Sequence, residues 1–193
     1  MIFTRAEIKD VIIIEPQMHG DNRGYFVEAY RQDKLDEFLG FEINFIQDNE
    51  SKSKRGVLRG LHYQLAPAAQ KKLVRVIEGS VLDVAVDIRK GSRTFGQHVA
   101  IELTGQNKKQ LLVPRGFAHG FVVLEQNTVL AYKVDNYYSP ENNRGIAFND
   151  LELNIDWKIS EGSLNLSEKD KIQPLLNQIG NADVFDGMVN YYG

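Results

Sequence analysis

Cysteine is absent from this 193-residue chain. That removes disulfides, thiolate nucleophiles, Cys-ligated zinc and iron–sulfur clusters together. An excess of basic residues is also missing: 23 Lys+Arg stand against 26 Asp+Glu, a net charge of −3, whereas a nucleic-acid binder is expected to be strongly basic. The opening MIFTRAEIKD carries no apolar signal region, and no later apolar run approaches the roughly 18 residues of a membrane span. These absences predict a cytoplasmic protein with neither nucleic acid nor membrane as partner. The 42% hydrophobic and 25% charged fractions argue against disorder, and the length suits one domain, taken as residues 1–193.

Helical signal is sparse, and the dominant period is two. In SVLDVAVDI, Leu82, Val84, Val86 and Ile88 alternate with Val81, Asp83, Ala85 and Asp87, the pattern of a strand. Strand-like runs recur at 11–15, 24–30, 43–47, 56–64, 72–79, 98–103, 110–114, 117–124 and 128–138, separated by turn signals such as Gly79-Ser80, Lys90-Gly91-Ser92 and Gln126-Asn127. About nine or ten short strands indicate a sandwich or barrel. Two short helices are expected, over Asp33–Leu39 and over Ser167–Leu176 with Ser167 as N-cap. The residues from about Gly180, including Gly187, Tyr191 and Tyr192, read as an irregular tail. The fold class is all-β with a few short helices.

Charge is segregated along the chain. Residues 52–115 hold 13 Lys/Arg and four acids, a net of +9, and the remainder is −12. Such separation can focus a positive potential on one cavity, as an anionic substrate requires. Lys52, Lys54, Arg55, Lys108 and Lys109 read as decoration of exposed turns. Arg59, Lys72 and Arg75 sit among apolar residues and are harder to dismiss.

There are four histidines. His19 in MHGDNRG and His98 beside Gln97 read as solvent-facing or structural. His62 in GVLRGLHYQ and His119 in PRGFAHGFVVL lie inside strands punctuated by Gly60, Gly116 and Gly120, which leave room for close approach of a ligand; hydrogen-bonded core histidines at bulges are the alternative. A metal-binding barrel would need three or four ligands, yet Gln64 follows where a second histidine would stand and no Glu occurs until Glu78. Proton transfer remains, with histidine as a base near neutral pH. Tyr132 is a candidate acid or a core residue with a bonded hydroxyl. Lys72 is a candidate stabiliser of a developing enolate or a surface lysine. Periodicity leaves both pairs of readings open.

The segments GVLRGLHYQ, QKKLVRVIEGSVLDVAVDIRKGSRTFG, PRGFAHGFVVL and LSEKD, collinear between about Arg23 and Asp170, resemble the dTDP-4-dehydrorhamnose 3,5-epimerase family. The resemblance implies a cupin-like jelly-roll barrel, a homodimer, a nucleotide-sugar substrate and the use of neither metal nor organic cofactor. It implies further that His62 is the base, Tyr132 the acid, Asp170 the carboxylate paired to His62, and Lys72 the lysine near the sugar carbonyl. Arg23, Glu28, Gln47, Asn49, Arg59, His119 and Lys169 match positions that hold the nucleotide sugar, and Tyr138 matches a tyrosine stacking on thymine. Ser167-x-x-Asp170 also reads as a capping box. Asn143 stands where the family often has glutamate, which weakens any ligand contact there, and Lys158 replaces a usual proline after Trp157. Strict alternation places Arg59 and His62 on opposite faces of one strand, so a bulge at Gly60 or a partner subunit must intervene if both serve one site.

Overall fold

The structure is a computed structural model and describes residues 1–180, 183, 185 and 186; the expected tail residues Gly187, Tyr191 and Tyr192 lie outside the described residues. The chain begins with β1 (Ile2–Arg5), β2 (Ile12–Glu15) and a hairpin of β3 (Met18–Asp21) and β4 (Gly24–Val27), followed by α1 (Gln32–Leu39). Strands β5 (Gln47–Ser53), β6 (Leu58–Gln64), β7 (Lys72–Glu78) and β8 (Ser80–Asp87) come next. A two-residue β9 (Arg89–Lys90) leads to β10 (His98–Thr104), β11 (Gln110–Val113), β12 (Phe117–Val123), β13 (Thr128–Val134) and β14 (Asn143–Gly145). The chain closes with a one-turn α2 (Glu168–Lys171) and β15 (Phe185–Asp186).

Two sheets carry the fold. One has the order β1-β2-β11-β7-β13-β5 and the other β10-β8-β12-β6-β14, each antiparallel throughout. Alternation sorts their apolar residues into three layers. Val74, Val76, Val81, Ala85, Phe117, Phe121 and Leu130 pack between the sheets. Leu58, Leu61, Leu82, Val84 and Val122 face outward and are covered by the C-terminal segment through Phe148, Leu153, Trp157 and Leu176. Ile12, Leu73 and Leu112 are covered by Leu35 of α1 and Ile43. With both faces of the β8 sheet covered, β8 is buried at every position, so it reads as a nearly continuous apolar run.

Several expectations need correction. The strand expected at 43–47 instead runs over Gln47–Ser53. That stretch is polar because its outer positions, among them Asp48, Glu50 and Lys52, are exposed and its inner ones face a cavity, so hydrophobic period could not reveal it. Lys52 therefore lies on a strand rather than a turn. The long strand expected over 128–138 ends at Val134. The second helix is a single turn, because Pro174 lies a few residues on and the chain continues to a separate 3-10 turn at Leu176–Gln178.

The junction between β6 and β12 positions the site. Arg59 pairs with Phe121 and His62 with His119, so Gly60 and Leu61 together oppose Gly120. This extra residue is a β-bulge, and it turns Arg59 and His62 to the same face. Gly60 has φ +136°, and a Cβ there would lie 2.5 Å from the Gly120 Cα and 3.0 Å from the His119 carbonyl oxygen. The Gly60→Ala variant should therefore lose at least about 2 kcal/mol of stability, read as a lower urea midpoint. Gly91→Ala, at φ +85° with nothing within 4 Å of the new Cβ, should lose less. Equal losses would mean the bulge does not depend on the bare glycine.

Candidate active site

A cavity of about 680 Å³ opens between the two sheets. The β8 sheet contributes Arg59, His62, His119 and Phe121; the opposite sheet contributes Asn49, Lys72 and Tyr132; Lys169 and Asp170 close it from the C-terminal segment. Alternation along β7, β12 and β13 sends Lys72, His119 and Tyr132 inward, while the bulge does the same for Arg59 and His62. The segment before α2 is stitched to the start of β6 by Leu58 N–H donating to the Asn165 carbonyl (3.0 Å) and Asn165 N–H donating to the Gly56 carbonyl (2.8 Å). That docking brings Asp170 against His62.

His62 Nε2 lies 2.5 Å from Asp170 Oδ1. With Asp170 accepting there, the neutral ring keeps its lone pair on Nδ1. Ser167 holds the carboxylate in turn: its Oγ donates to Asp170 Oδ2 (2.9 Å) and accepts from Asp170 N–H (3.2 Å). The capping role and the His-pairing role expected of Asp170 thus coexist. Although Asp170 is buried, which favours its neutral form, the His62 and Ser167 hydrogen bonds and the charge of Lys169 hold its carboxyl below the usual range.

The other groups are tuned by burial. Lys72 is pushed down to about 8 by loss of solvation, with the Asp83 carboxylate opposing the shift. His119, hydrogen-bonded through Nε2 to Asp83 Oδ1 at 2.9 Å, is lowered by burial against the opposing pull of Asp83 and is kept neutral. The Tyr132 hydroxyl is pushed up by burial, with Arg59 acting in the other direction. The interior therefore offers a histidine–carboxylate pair on one sheet, and on the facing sheet a protonated phenol and a desolvated lysine. That set can remove a proton from one side of a ring, stabilise an anion and return a proton from the other side. Among the described residues no three His, Cys, Asp or Glu side chains form a group able to hold a metal ion.

The family model described as dTDP-4-dehydrorhamnose 3,5-epimerase matches residues 5–178. The chain belongs to that family. The Salmonella typhimurium dTDP-4-dehydrorhamnose 3,5-epimerase is 51% identical over 178 residues, covering 92% of this chain and 97% of that one. The Pseudomonas aeruginosa enzyme is 52% identical over 168 residues, covering 87% and 92%. Among solved structures, the Legionella pneumophila epimerase in complex with dTDP-4-keto-L-rhamnose superposes with a TM-score of 0.93 at 46% identity, covering 97% of this chain and 99% of that one. A 3′-monoepimerase from Streptomyces bikiniensis in complex with dTDP-quinovose reaches 0.84 at 30% identity, with 89% and 86% covered. The resemblance read from the motifs and the cupin-like jelly-roll architecture both hold, although the two sheets do not close into a continuous barrel.

Not every residue matched to the epimerase pattern reaches this cavity within one protomer. Gln47 lies on β5 and donates to Asn49 Oδ1 at 2.8 Å, so it braces a lining residue. Tyr138 is exposed in the loop after β13. Asn143 starts β14 opposite Gln64 and lines a separate cleft shared with Lys169. Arg23 and Glu28 stand apart: Arg23 lies at the tip of the β3–β4 hairpin paired with Asp21, and Glu28 pairs with Arg31. Arg75, singled out for its apolar surroundings, faces a groove on the outer side of its sheet. Lys158 adopts φ +60°, an angle closed to proline. Asp83, which holds the cavity-lining His119, was not singled out from the sequence; a buried acid among the apolar residues of SVLDVAVDI was the available signal.

Asp170→Asn should lower kcat by roughly 10²-fold or more, because an amide neither fixes the His62 tautomer nor stabilises its protonated form. Ser167→Ala, which leaves the carboxylate in place, should cost about 1 kcal/mol of stability and much less turnover. Steady-state rates with urea melts on both variants separate the two; equal kcat losses would show that Ser167 matters as much as the carboxylate.

Proposed function

We propose that His62, Tyr132, Lys72 and Asp170 carry out the family reaction, the conversion of dTDP-4-dehydro-6-deoxy-D-glucose to dTDP-4-dehydro-L-rhamnose in dTDP-L-rhamnose biosynthesis. The observation that carries this reading is the placement of His62 and Tyr132 on opposite sheets facing one cavity that also contains Lys72. The 4-keto group acidifies the protons at C3 and C5. His62 removes one, the Lys72 ammonium neutralises charge growing on the keto oxygen, and Tyr132 delivers a proton to the opposite face of the ring. Once His62 has released its proton to solvent and Tyr132 has regained one, repetition at the second carbon inverts both centres. Asp170 orients His62 and stabilises it while protonated. Arg59 and Lys169 suit the diphosphate, arginine through forked charge-assisted hydrogen bonds, with His119, Asn49 and Gln47 shaping the sugar pocket. These roles need no metal or organic cofactor, and the reading extends to a single domain working in the cytoplasm.

In D2O, proton NMR of the keto sugar should show deuterium entering both C3 and C5, with no metal added and no loss after EDTA. Exchange at one carbon alone would indicate a single-centre epimerase. His62→Ala should lower turnover by roughly 10²–10⁴-fold while dTDP still binds, and Tyr132→Phe should lose inversion more than exchange. A His62→Ala protein with near-normal turnover overturns the assignment.

The hairpin suggests how the remaining residues act. Met18, Tyr25 and Phe26 are 49%, 57% and 67% exposed on it, a two-stranded ribbon projecting aromatic side chains beside Arg23. An isolated hairpin with exposed apolar residues gains stability only by packing on something else. A homodimer in which each β3–β4 hairpin enters the partner's cavity would cover these residues and bring Arg23 and Glu28 to the nucleotide. Mixing inactive Arg23→Ala with inactive His62→Ala and allowing subunit exchange should restore activity in one site of each hybrid dimer. Verified exchange with no recovered activity rejects the shared site.

A further inference from the structure

Two carboxylates occupy the inner face of β8. Asp83 and Asp87 lie four residues apart, so alternation points both between the sheets, and both have no measurable exposure. Asp87 is saturated. Its Oδ1 accepts from Arg89 N–H and Nε, each at 2.9 Å, and its Oδ2 from Ser92 Oγ at 2.7 Å, Thr94 Oγ1 at 2.6 Å and Arg89 Nη2 at 2.8 Å. It fastens the turn that follows the strand. Asp83 accepts at Oδ1 from His119 Nε2, and its buried Oδ2 has no hydrogen-bond partner. A buried, half-satisfied carboxylate is a costly structural device, and on a strand of Val, Leu and Ala an apolar residue would serve packing better.

The compensating charge lies across the interior. Lys72 interacts electrostatically with Asp83, which opposes the loss of solvation acting on the ammonium. The other ionisable groups lining the cavity are Arg59 and His62 from β6, His119 from β12, Tyr132 from β13, Glu50 from β5, and Lys169 and Asp170 from the C-terminal segment. Asp170 is engaged by His62 and Ser167, and Glu50 is exposed. β11, hydrogen-bonded beside Lys72, has no ionisable side chain. His98 and Glu102 on β10 pair with Val86 and Leu82, which belong to the outer layer, so they face away. Asp135 near the end of β13 is taken up by Lys71 and Arg115.

We propose that Asp83 is a positioning residue for the epimerisation: one buried carboxylate that fixes the His119 ring through Oδ1 and, with its unpartnered Oδ2, supplies the counter-charge to Lys72 inside the fold. This rests on the reading of Lys72 as the cation at the keto oxygen. An opposite charge nearby in a buried interior moves a cation's titration by about 1–3 pH units. Without it, burial leaves Lys72 neutral at working pH, and the growing negative charge on the keto oxygen meets no counter-charge. Fixing His119 by the same carboxylate couples its orientation to the charge of Lys72, because neither can be adjusted without disturbing the shared acid.

The test is the pH dependence of kcat/KM for Asp83→Asn, which keeps the shape and an acceptor for His119 but removes the charge. In the unsubstituted enzyme the rate should fall on the alkaline side as Lys72 loses its proton near 8. In Asp83→Asn that limb should move to lower pH by about one unit or more, with a roughly five- to tenfold loss at pH 8 and recovery to within about threefold at pH 6, kcat changing more than KM. Asp83→Glu keeps the charge and should hold the limb in place even where turnover drops, and it serves as the second variant if the amide does not fold. An unmoved limb in Asp83→Asn, or a limb that moves in Asp83→Glu with its charge intact, overturns the proposal. Lys72→Met separates this from the reading beneath it. If that variant turns over normally, the role of Lys72 itself fails. If it is inactive and the limb of Asp83→Asn is unmoved, only Asp83 is reassigned.

Discussion

Gly60 and Gly120 approach so closely that a Cβ on Gly120 would sit 2.8 Å from the Arg59 carbonyl and 3.0 Å from the Gly60 Cα, and the cavity depends on that contact. The close approach accommodates two residues of β6 against one of β12. Beyond the bulge the strand's alternation is reversed, so His62 faces inward on the same side as Arg59, beside His119 on the neighbouring strand. A side chain at either glycine would force the strands apart, return β6 to regular pairing and point Arg59 and His62 to opposite faces. The outer face of β6 is then free to carry Leu58, Leu61 and Tyr63 into the layer covered by the C-terminal segment. That same covering delivers Asp170 to His62, so packing and catalysis share one piece of backbone geometry.

The electrostatic arrangement follows from what each sheet contributes. Arg59 and Lys72 come from the positively charged stretch of the chain, while Asp170 comes from the acidic remainder and is brought in by the fold. A cavity with cationic walls attracts a diphosphate. Of the acids in and around it, Asp170 and Asp83 are engaged by histidines, and Glu50 is exposed. Burial then assigns protonation states. It drives Lys72 and His119 towards their neutral forms and Tyr132 towards its protonated form, and specific carboxylates correct the cases in which the neutral form would be useless.

The strands that bury apolar side chains on regular alternation were legible in the sequence: β7, β8, β10, β11 and β12 fall within a residue or so of where period two puts them. β5 was not, because a strand with cavity-facing Asn49 and Ser51 on one side and exposed Asp48 and Glu50 on the other has no hydrophobic period to detect. The histidines, Lys72 and Tyr132 were legible as candidates but not as a group, since convergence depends on sheet order and on the bulge, both non-local. The conflict between Arg59 and His62 was visible as a conflict, with Gly60 as one of its two possible solutions. Asp83 was hidden for a different reason: its role exists only in relation to Lys72 across the sandwich and to His119 two strand positions from its own partner Phe121.

Two histidine–carboxylate pairs with the same hydrogen-bonding atom, Nε2, stand side by side on β6 and β12, and environment divides their labour. The His62 side chain is 30% exposed although its carboxylate on α2 is buried; the His119 side chain is 7% exposed, with a fully buried carboxylate beside it. A base that works twice per substrate must discharge the first proton before it accepts the second, and discharge requires contact with solvent or substrate rather than with a sealed interior. His62 meets that condition. His119 does not, and burial together with the nearby Lys72 and His62 disfavours its charged form, which suits a fixed hydrogen-bonding partner for a sugar hydroxyl. The two pairs share one chemistry; on the mechanism proposed above, depth in the fold suits one to carry protons and the other to stay fixed.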